Sequence, residues 1–139
     1  MINPNKGSYI ILAELSKDRI ISVGKLGPLE FEKGYYAYVG SALNGLKGRI
    51  QRHLSKTKSQ FWHIDYLLKY ARVIEIFYKL GYEREECTLA LGLAADFKTI
   101  DNFGSSDCKC NGHLFYSRDY KSLLNKIISN GLEKYNYQF

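Results

Sequence analysis

Apolar residues fall into short runs between the polar segments of this chain, a pattern that is typical of strands. The run over residues 8–15 is almost wholly apolar, so we expect a strand that is buried on both faces of a sheet. Residues 16–19 are predicted to form a hairpin loop into a second strand. The aromatic-rich strand over residues 34–39 is expected to end at Gly40. Further extended segments are predicted at residues 20–23, 29–31, 73–78 and 114–116.

Other segments repeat their apolar residues at helical spacing. Leu46, Ile50 and Leu54 recur at i, i+4 and i+8, which predicts an amphipathic helix over about residues 44–54. One continuous flank beside this stripe is formed by Arg49, Arg52, His53 and Lys56. Further helices are predicted over about residues 62–70, 83–95 and 120–130. Hairpin-joined strands mixed with helices indicate an α+β fold in a single domain over residues 1–139.

Composition adds a positive charge and excludes few partners. The chain has 20 Lys and Arg against 14 Asp and Glu, a net charge of +6 with a pI near 9.2. A basic surface favours polyanions, nucleic acid first, although many basic proteins bind nothing specific. The longest apolar run, residues 89–95, is far shorter than the ~20 residues of a membrane span, so no membrane partner is expected. The N-terminus has no apolar signal segment and the three cysteines are an odd number, so we expect reduced thiols and a cytoplasmic protein.

Two tyrosine motifs precede the basic helix. Gly7-Ser8-Tyr9 opens the first strand, Tyr38-Val39-Gly40 closes a later one, and Arg49 and His53 lie one turn apart on the helix that follows. This order resembles the GIY-YIG nuclease superfamily, in which two tyrosine strands and an Arg-bearing helix build one active site. The resemblance implies an antiparallel sheet flanked by helices. It also implies cleavage of DNA phosphodiesters with one Mg²⁺ or Mn²⁺ ion, held by a glutamate on a later helix, for which Glu86 is the best-placed candidate.

Several further segments are similar to one branch of that superfamily, the Uri/DUF123 branch. They are residues 61–68, 86–90, 103–110 and 113–116. The resemblance spans about residues 7–116, which is nearly the whole chain. Because the branch carries a histidine at the position of His63, this side chain is a further candidate site residue.

These residue types suit phosphodiester hydrolysis. The resemblance makes Tyr9 and Tyr38 the base and the base-supporting phenol, and a phenol with an ordinary pKa near ~10 needs a nearby cation to act as a base. The guanidinium of Arg49 has the fork that fits phosphate oxygens. His53 can orient the base or pass protons. A single carboxylate such as Glu86 suits a hard cation that keeps most of its waters.

The chain departs from the superfamily pattern in two ways. The interval between Tyr9 and Tyr38 is longer than usual, and Ser41 stands where the repair nucleases of the superfamily often carry a lysine. Lys47 is a candidate replacement for that charge. We expect a rim of basic side chains to contact the phosphate backbone of the nucleic acid. This rim is made of Lys47, Arg52, Lys56 and Lys58.

Two other groups have alternative interpretations. Trp62 can stack on a base or anchor the core. His63 and Asp65 lie two residues apart on a helix, so they are poor partners for each other. Zinc could be bound by Cys87, Cys108, Cys110 and His113. Their spacing is not one of the strong structural zinc patterns, and buried free thiols are the commoner alternative.

The sequence therefore predicts a metal-dependent DNA endonuclease that acts in DNA repair or processing. One alternative is a nucleic-acid-binding module on the same fold, with weak or no catalysis, and Ser41 favours it. A second is a zinc-stabilised protein-interaction domain. RNA stays an alternative to DNA, and cutting both strands would require a homodimer or rebinding.

Overall fold

The computed structural model describes residues 6–42, 45–55, 62–81, 86–104 and 111–136, and of Glu86 it describes the backbone alone. The strands are β1 Gly7–Leu15, β2 Arg19–Ser22, β3 Pro28–Phe31, β4 Gly34–Ala42, β5 Arg72–Leu80, β6 Lys98–Ile100, β7 Leu114–Ser117 and β8 Glu133–Lys134. The helices are α1 Leu46–Leu54, α2 His63–Leu68, α3 Glu86–Ala94 and α4 Tyr120–Ser129.

Three nine-residue strands form the centre of the main sheet, with β1 between β4 and β5. The full order is β6-β7-β4-β1-β5-β8, and every neighbouring pair is antiparallel. β2 and β3 pair with each other in a separate two-stranded sheet. The α+β prediction is confirmed by this antiparallel sheet with helices packed on it.

Helices cover both faces of the sheet. On the first face lie α1 and α2, which bury Ile50 and Leu67 in one apolar cluster. On the second face lie α3 and α4, which bury Leu93 and Ile127 in another. None of the described helices is long and apolar enough to cross a membrane.

β1 supplies both clusters, because successive side chains of a strand point to opposite faces. Tyr9 and Ile11 belong to the first cluster, and Ile10 and Leu12 belong to the second. The predicted burial of this strand on both faces is therefore confirmed. Its apolar run lacks a polar face because both faces of the strand are packed against other elements.

The predicted hairpin between the first two strands is wrong. β1 pairs along its length with β4 and with β5, so both of its edges are occupied. β2 is left to pair with β3. The long apolar strands β4 and β5 bury more surface against β1 than the four-residue β2 could.

The end of the tyrosine strand also differs from the prediction. β4 continues through Gly40 to Ala42, still paired with β1. Gly40 therefore marks a close approach of another side chain within the sheet and not the end of the strand. The short edge strands β6 and β8 were not predicted, because three and two residues carry too little pattern.

Candidate functional site

Tyr9 and Tyr38 lie on the same face of neighbouring strands. Tyr9 pairs with Gly40 and Tyr38 pairs with Ile11, which places the two tyrosines diagonally across β1 and β4. Their ring centres are 6.5 Å apart. Tyr9 is 1% exposed and Tyr38 is 9% exposed, so Tyr38 is the nearer of the two to solvent.

Gly40 makes room for Tyr9. A Cβ atom at position 40 would overlap the ring and the hydroxyl of Tyr9. The absence of a side chain there lets the phenol lie over Gly40, where its hydroxyl reaches His53 on α1. The glycine of the second motif is therefore needed by the tyrosine of the first motif.

His53 closes the cluster from α1. Its Nε2 atom lies 2.7 Å from the hydroxyl of Tyr9, a hydrogen-bond distance for a buried pair. Its ring centre is 5.4 Å from that of Tyr9 and 6.1 Å from that of Tyr38. His53 is 2% exposed, so it faces the sheet, although the sequence pattern placed it on a basic flank.

Arg49, one turn before His53, is held at the border of this cluster. One of its terminal N–H groups donates to the carbonyl oxygen of Ser41, 3.2 Å away. Its guanidinium carbon lies 4.4 Å from the ring centre of Trp62, in the range of a cation–π contact. The Arg49 fork is thus fixed at the end of β4 and remains partly exposed.

Arg52 is placed differently from the predicted rim. Both of its terminal nitrogens donate to Asp65, each at 3.0 Å, and its guanidinium carbon lies 4.1 Å from the ring centre of Trp62. Asp65 also accepts the backbone N–H of Trp62 at 2.8 Å, which caps the start of α2. The Arg52 charge is therefore directed at a buried carboxylate.

His63 anchors a loop next to Tyr38. Its Nδ1 atom accepts the backbone N–H of Gly104 at 2.9 Å, and burial lowers the pKa of His63 below its ordinary value. Gly104 has a φ of 71° and approaches Tyr38 so closely that a Cβ there would lie 3.0 Å from the Tyr38 ring. Neutral His63 thus fixes a backbone segment against the second tyrosine.

Among the described residues, the structure does not place the other predicted site residues in this cluster. Lys47 is exposed on α1. The backbone of Glu86 begins α3, the helix whose Leu89, Ala90 and Leu93 pack on the second face of the sheet. Ser41 lies on β4 one residue from Gly40, so its side chain points to that second face. Lys56 and Lys58 lie outside the described residues.

The residues predicted to hold zinc are only half described. Cys87 is partly buried in α3, and His113 is buried at the entry to β7. Cys108 and Cys110 lie outside the described residues. Within the parts of the chain that the structure describes, no group of three or more His, Cys, Asp and Glu side chains is placed to hold a metal ion. The zinc interpretation stays a prediction.

Sequence reasoning missed the pairing of Asp65 with Arg52. It compared Asp65 only with His63, its near neighbour in the sequence. The signal was the position of Asp65 three residues after Trp62, where a carboxylate can accept an N–H group from the start of a helix. Nothing in that signal identifies Arg52 as the second partner.

The cluster on the first face can hold and move a proton and can bind an anion. Tyr9 and His53 share one hydrogen bond, and Tyr38 lies beside them toward solvent. Arg49 offers the rest of its five N–H donors to an incoming group. Such a combination suits a substrate that carries negative charge and reacts by proton transfer.

A protein-family model matches this chain. The family model described as "Domain of unknown function DUF123" matches residues 8–136, which include every described residue of the cluster. No curated protein and no solved structure matches the sequence. The family match covers most of the chain, from the first sheet strand to the residues that follow the last one. The chain belongs to the DUF123 family.

Proposed function

We propose that this protein is a metal-dependent endonuclease that hydrolyses phosphodiester bonds of DNA, in DNA repair or processing. The observation that carries the proposal is the 2.7 Å hydrogen bond between the Tyr9 hydroxyl and His53 Nε2. It lies beside a second tyrosine and an arginine that come from the expected strand and helix. This arrangement supports placing the protein in the GIY-YIG superfamily.

The two tyrosines have different places in the proposed reaction. Tyr38, which is 9% exposed, contacts the attacking water. Tyr9, which is 1% exposed, lies behind it and is hydrogen-bonded to His53. A proton can move between the Tyr9 oxygen and His53 Nε2 without entering solvent, so this pair can adjust the charge next to Tyr38.

Arg49 binds the phosphate in this proposal. Its guanidinium is planar and presents N–H donors that match phosphate oxygens. The contact to the Ser41 carbonyl oxygen and the stacking on Trp62 restrict its rotation before substrate arrives. A donor that is already oriented stabilises developing charge at a lower entropic cost than a mobile side chain.

Mg²⁺ or Mn²⁺ is the proposed cofactor, and Glu86 is the residue that would hold it. A hard cation of this kind retains several waters, so a single carboxylate together with the phosphate of the substrate can bind it. The ion would supply Lewis-acid stabilisation of the phosphate.

A second candidate function is a nucleic-acid-binding module without catalysis. The specific observation in its favour is the burial of Tyr9 and His53, which are 1% and 2% exposed, because a core pair has the same low exposure. In that case the basic residues bind DNA or RNA while the tyrosines only pack.

Nicking of supercoiled plasmid with Mg²⁺ or Mn²⁺ distinguishes the two functions. Wild type is compared with Tyr38→Phe, Glu86→Gln and the exposed carboxylate control Glu30→Gln. Metal-dependent nicking that disappears in the first two variants, with DNA binding kept, supports the nuclease. Binding without cleavage of plasmid or branched DNA, with every metal tried, would overturn it in favour of the binding module.

A further inference from the structure

We infer that Asp65 is a positioning residue for the proposed nuclease reaction, acting on Arg49 through Arg52 and Trp62. The inference concerns a residue outside the tyrosine cluster, and it deepens the proposed function, on which it rests. The connection is a continuous set of contacts from a buried carboxylate to the guanidinium that would bind phosphate.

Asp65 is the fixed end of this connection. Its side chain is fully buried, and it accepts two N–H groups of Arg52 and the backbone N–H of Trp62. A buried carboxylate requires such donors, because its charge would otherwise be costly to remove from water. The bidentate geometry leaves the Arg52 guanidinium little freedom to rotate.

Trp62 transmits this arrangement to Arg49. Its backbone is fixed by Asp65, and its ring centre lies 4.1 Å from the guanidinium carbon of Arg52 and 4.4 Å from that of Arg49. Its ring is also 5.5 Å from that of His53. Movement of the indole would therefore displace both Arg49 and His53, the hydrogen-bond partner of Tyr9.

The connection changes the role assigned to Arg52. An arginine on a basic helix flank would ordinarily contact phosphate directly, and its loss would weaken DNA binding. Here its charge faces Asp65, so we expect its loss, and that of Asp65, to lower kcat more than it raises KM. This split separates a positioning role from a binding role.

The test compares Asp65→Asn with Glu14→Gln. Glu14 forms a salt bridge of 2.7 Å with Arg72 at the far end of β1, so it is an Arg–carboxylate control outside the site, although it is more exposed than Asp65. Plasmid nicking gives kcat and KM. Acrylamide quenching of fluorescence, excited at the long-wavelength edge where tyrosine does not absorb, reports on Trp62 alone, because the chain contains one tryptophan.

For Asp65→Asn we expect kcat to fall roughly 10- to 100-fold with KM changed much less, since small misplacements of a catalytic group have effects of this size. We also expect Trp62 to be quenched more easily. Glu14→Gln should match wild type in both measurements. A wild-type kcat in Asp65→Asn, or a loss equal to that of Glu14→Gln, would overturn the inference.

Two further arms keep the outcome decisive. If Asp65→Asn does not fold, Arg52→Gln combined with Asp65→Asn removes both charges and leaves no buried ion unpaired; a wild-type kcat there overturns the inference.

If wild type does not nick DNA, the proposed function fails separately. Unchanged Trp62 quenching in Asp65→Asn then overturns the inference, and increased quenching shows that Asp65 holds Trp62 in place.

Discussion

Tyr9 and Gly40 face each other across β1 and β4, and the phenol occupies the space that any side chain at position 40 would fill. One residue supplies the hydroxyl, and the other supplies the room that lets this hydroxyl reach His53. The two sequence motifs therefore depend on each other sterically as well as chemically.

Gly40→Ala should lower both stability and nicking. The new methyl group collides with Tyr9 inside a paired sheet, where neither backbone can move away easily, so we expect a loss of about 1–3 kcal/mol in the free energy of unfolding. Gly48→Ala is the control, because a Cβ at position 48 would have no atom within 4 Å and a helix interior gains about 0.5–1 kcal/mol from this change. Urea unfolding measures both; an unchanged midpoint for Gly40→Ala would contradict the contact.

Tyr9→Phe should keep the fold and reduce catalysis. The ring still fills the space above Gly40, while the hydrogen bond to His53 is lost, at a cost of about 1 kcal/mol in stability. Loss of a proton-transfer group lowers kcat by roughly 10²- to 10⁴-fold.

Tyr36→Phe is the matched control for that change. Tyr36 is as buried as Tyr9, and both belong to the apolar cluster on the first face of the sheet. The Tyr36 hydroxyl donates to the Glu32 carbonyl oxygen at 2.6 Å and makes no contact with His53 in that bond. Nicking by this variant should equal that of wild type. Equal losses of kcat in Tyr9→Phe and Tyr36→Phe would show that the hydroxyl of Tyr9 has only a structural role.

Lys47→Gln should weaken DNA binding in a salt-dependent way. Lys47 is exposed on α1, the helix that also carries Arg49, and a lysine that neutralises one phosphate contributes about 0.9 to the slope of log K against log salt. Anisotropy titrations of a labelled duplex at several salt concentrations measure that slope. Lys121→Gln removes an exposed charge from α4 on the other face, and its slope should be that of wild type. Identical slopes in all three proteins would remove Lys47 from the interface.

His63→Asn should make stability less sensitive to acid. Burial lowers the pKa of His63 from its ordinary 6.5, so below that pH the unfolded chain takes up a proton that the folded protein resists. His63 therefore reduces stability as the pH falls through about 6.5 and has no such effect above it.

The measurement is the urea midpoint at about pH 7.5 and about pH 5.5. The asparagine Oδ1 can still accept the N–H of Gly104, so the loop contact is kept while its titration is removed. The midpoint should fall less on acidification in His63→Asn than in wild type. His53 and His113 are present in both proteins, so any contribution of theirs is common to both; an equal fall would contradict the assignment.

Sequence pattern predicted much of the fold because β1 and α1 carry strong periodic signals. The apolar run of β1 indicated burial on both faces, but not which strands would be its neighbours. Pairing depends on the competition between distant segments, and β5 is more than fifty residues from β1 along the chain. Local pattern favoured the nearby β2, which was wrong.

The candidate site was likewise predicted only as far as local sequence pattern reaches. Helical spacing placed Arg49, Arg52 and His53 on one flank of α1. It could not separate their environments, because those depend on what packs against the helix. Tyr9 approaches from the sheet and binds His53, while Asp65 approaches from α2 and binds Arg52. Only the tertiary arrangement shows that three neighbouring basic residues have three different hydrogen-bond partners, the Ser41 carbonyl, the Asp65 carboxylate and the Tyr9 hydroxyl.

The central place of β1 has a consequence for how the site can open. Strands protect it at both edges and helices cover both of its faces, so no local fluctuation exposes its backbone. We therefore expect the Tyr9 amide to exchange its hydrogen only through global unfolding, with the slowest-exchanging amides of the domain. Ligand access to the cluster is then expected to come from movement of α1, while β1 itself stays fixed.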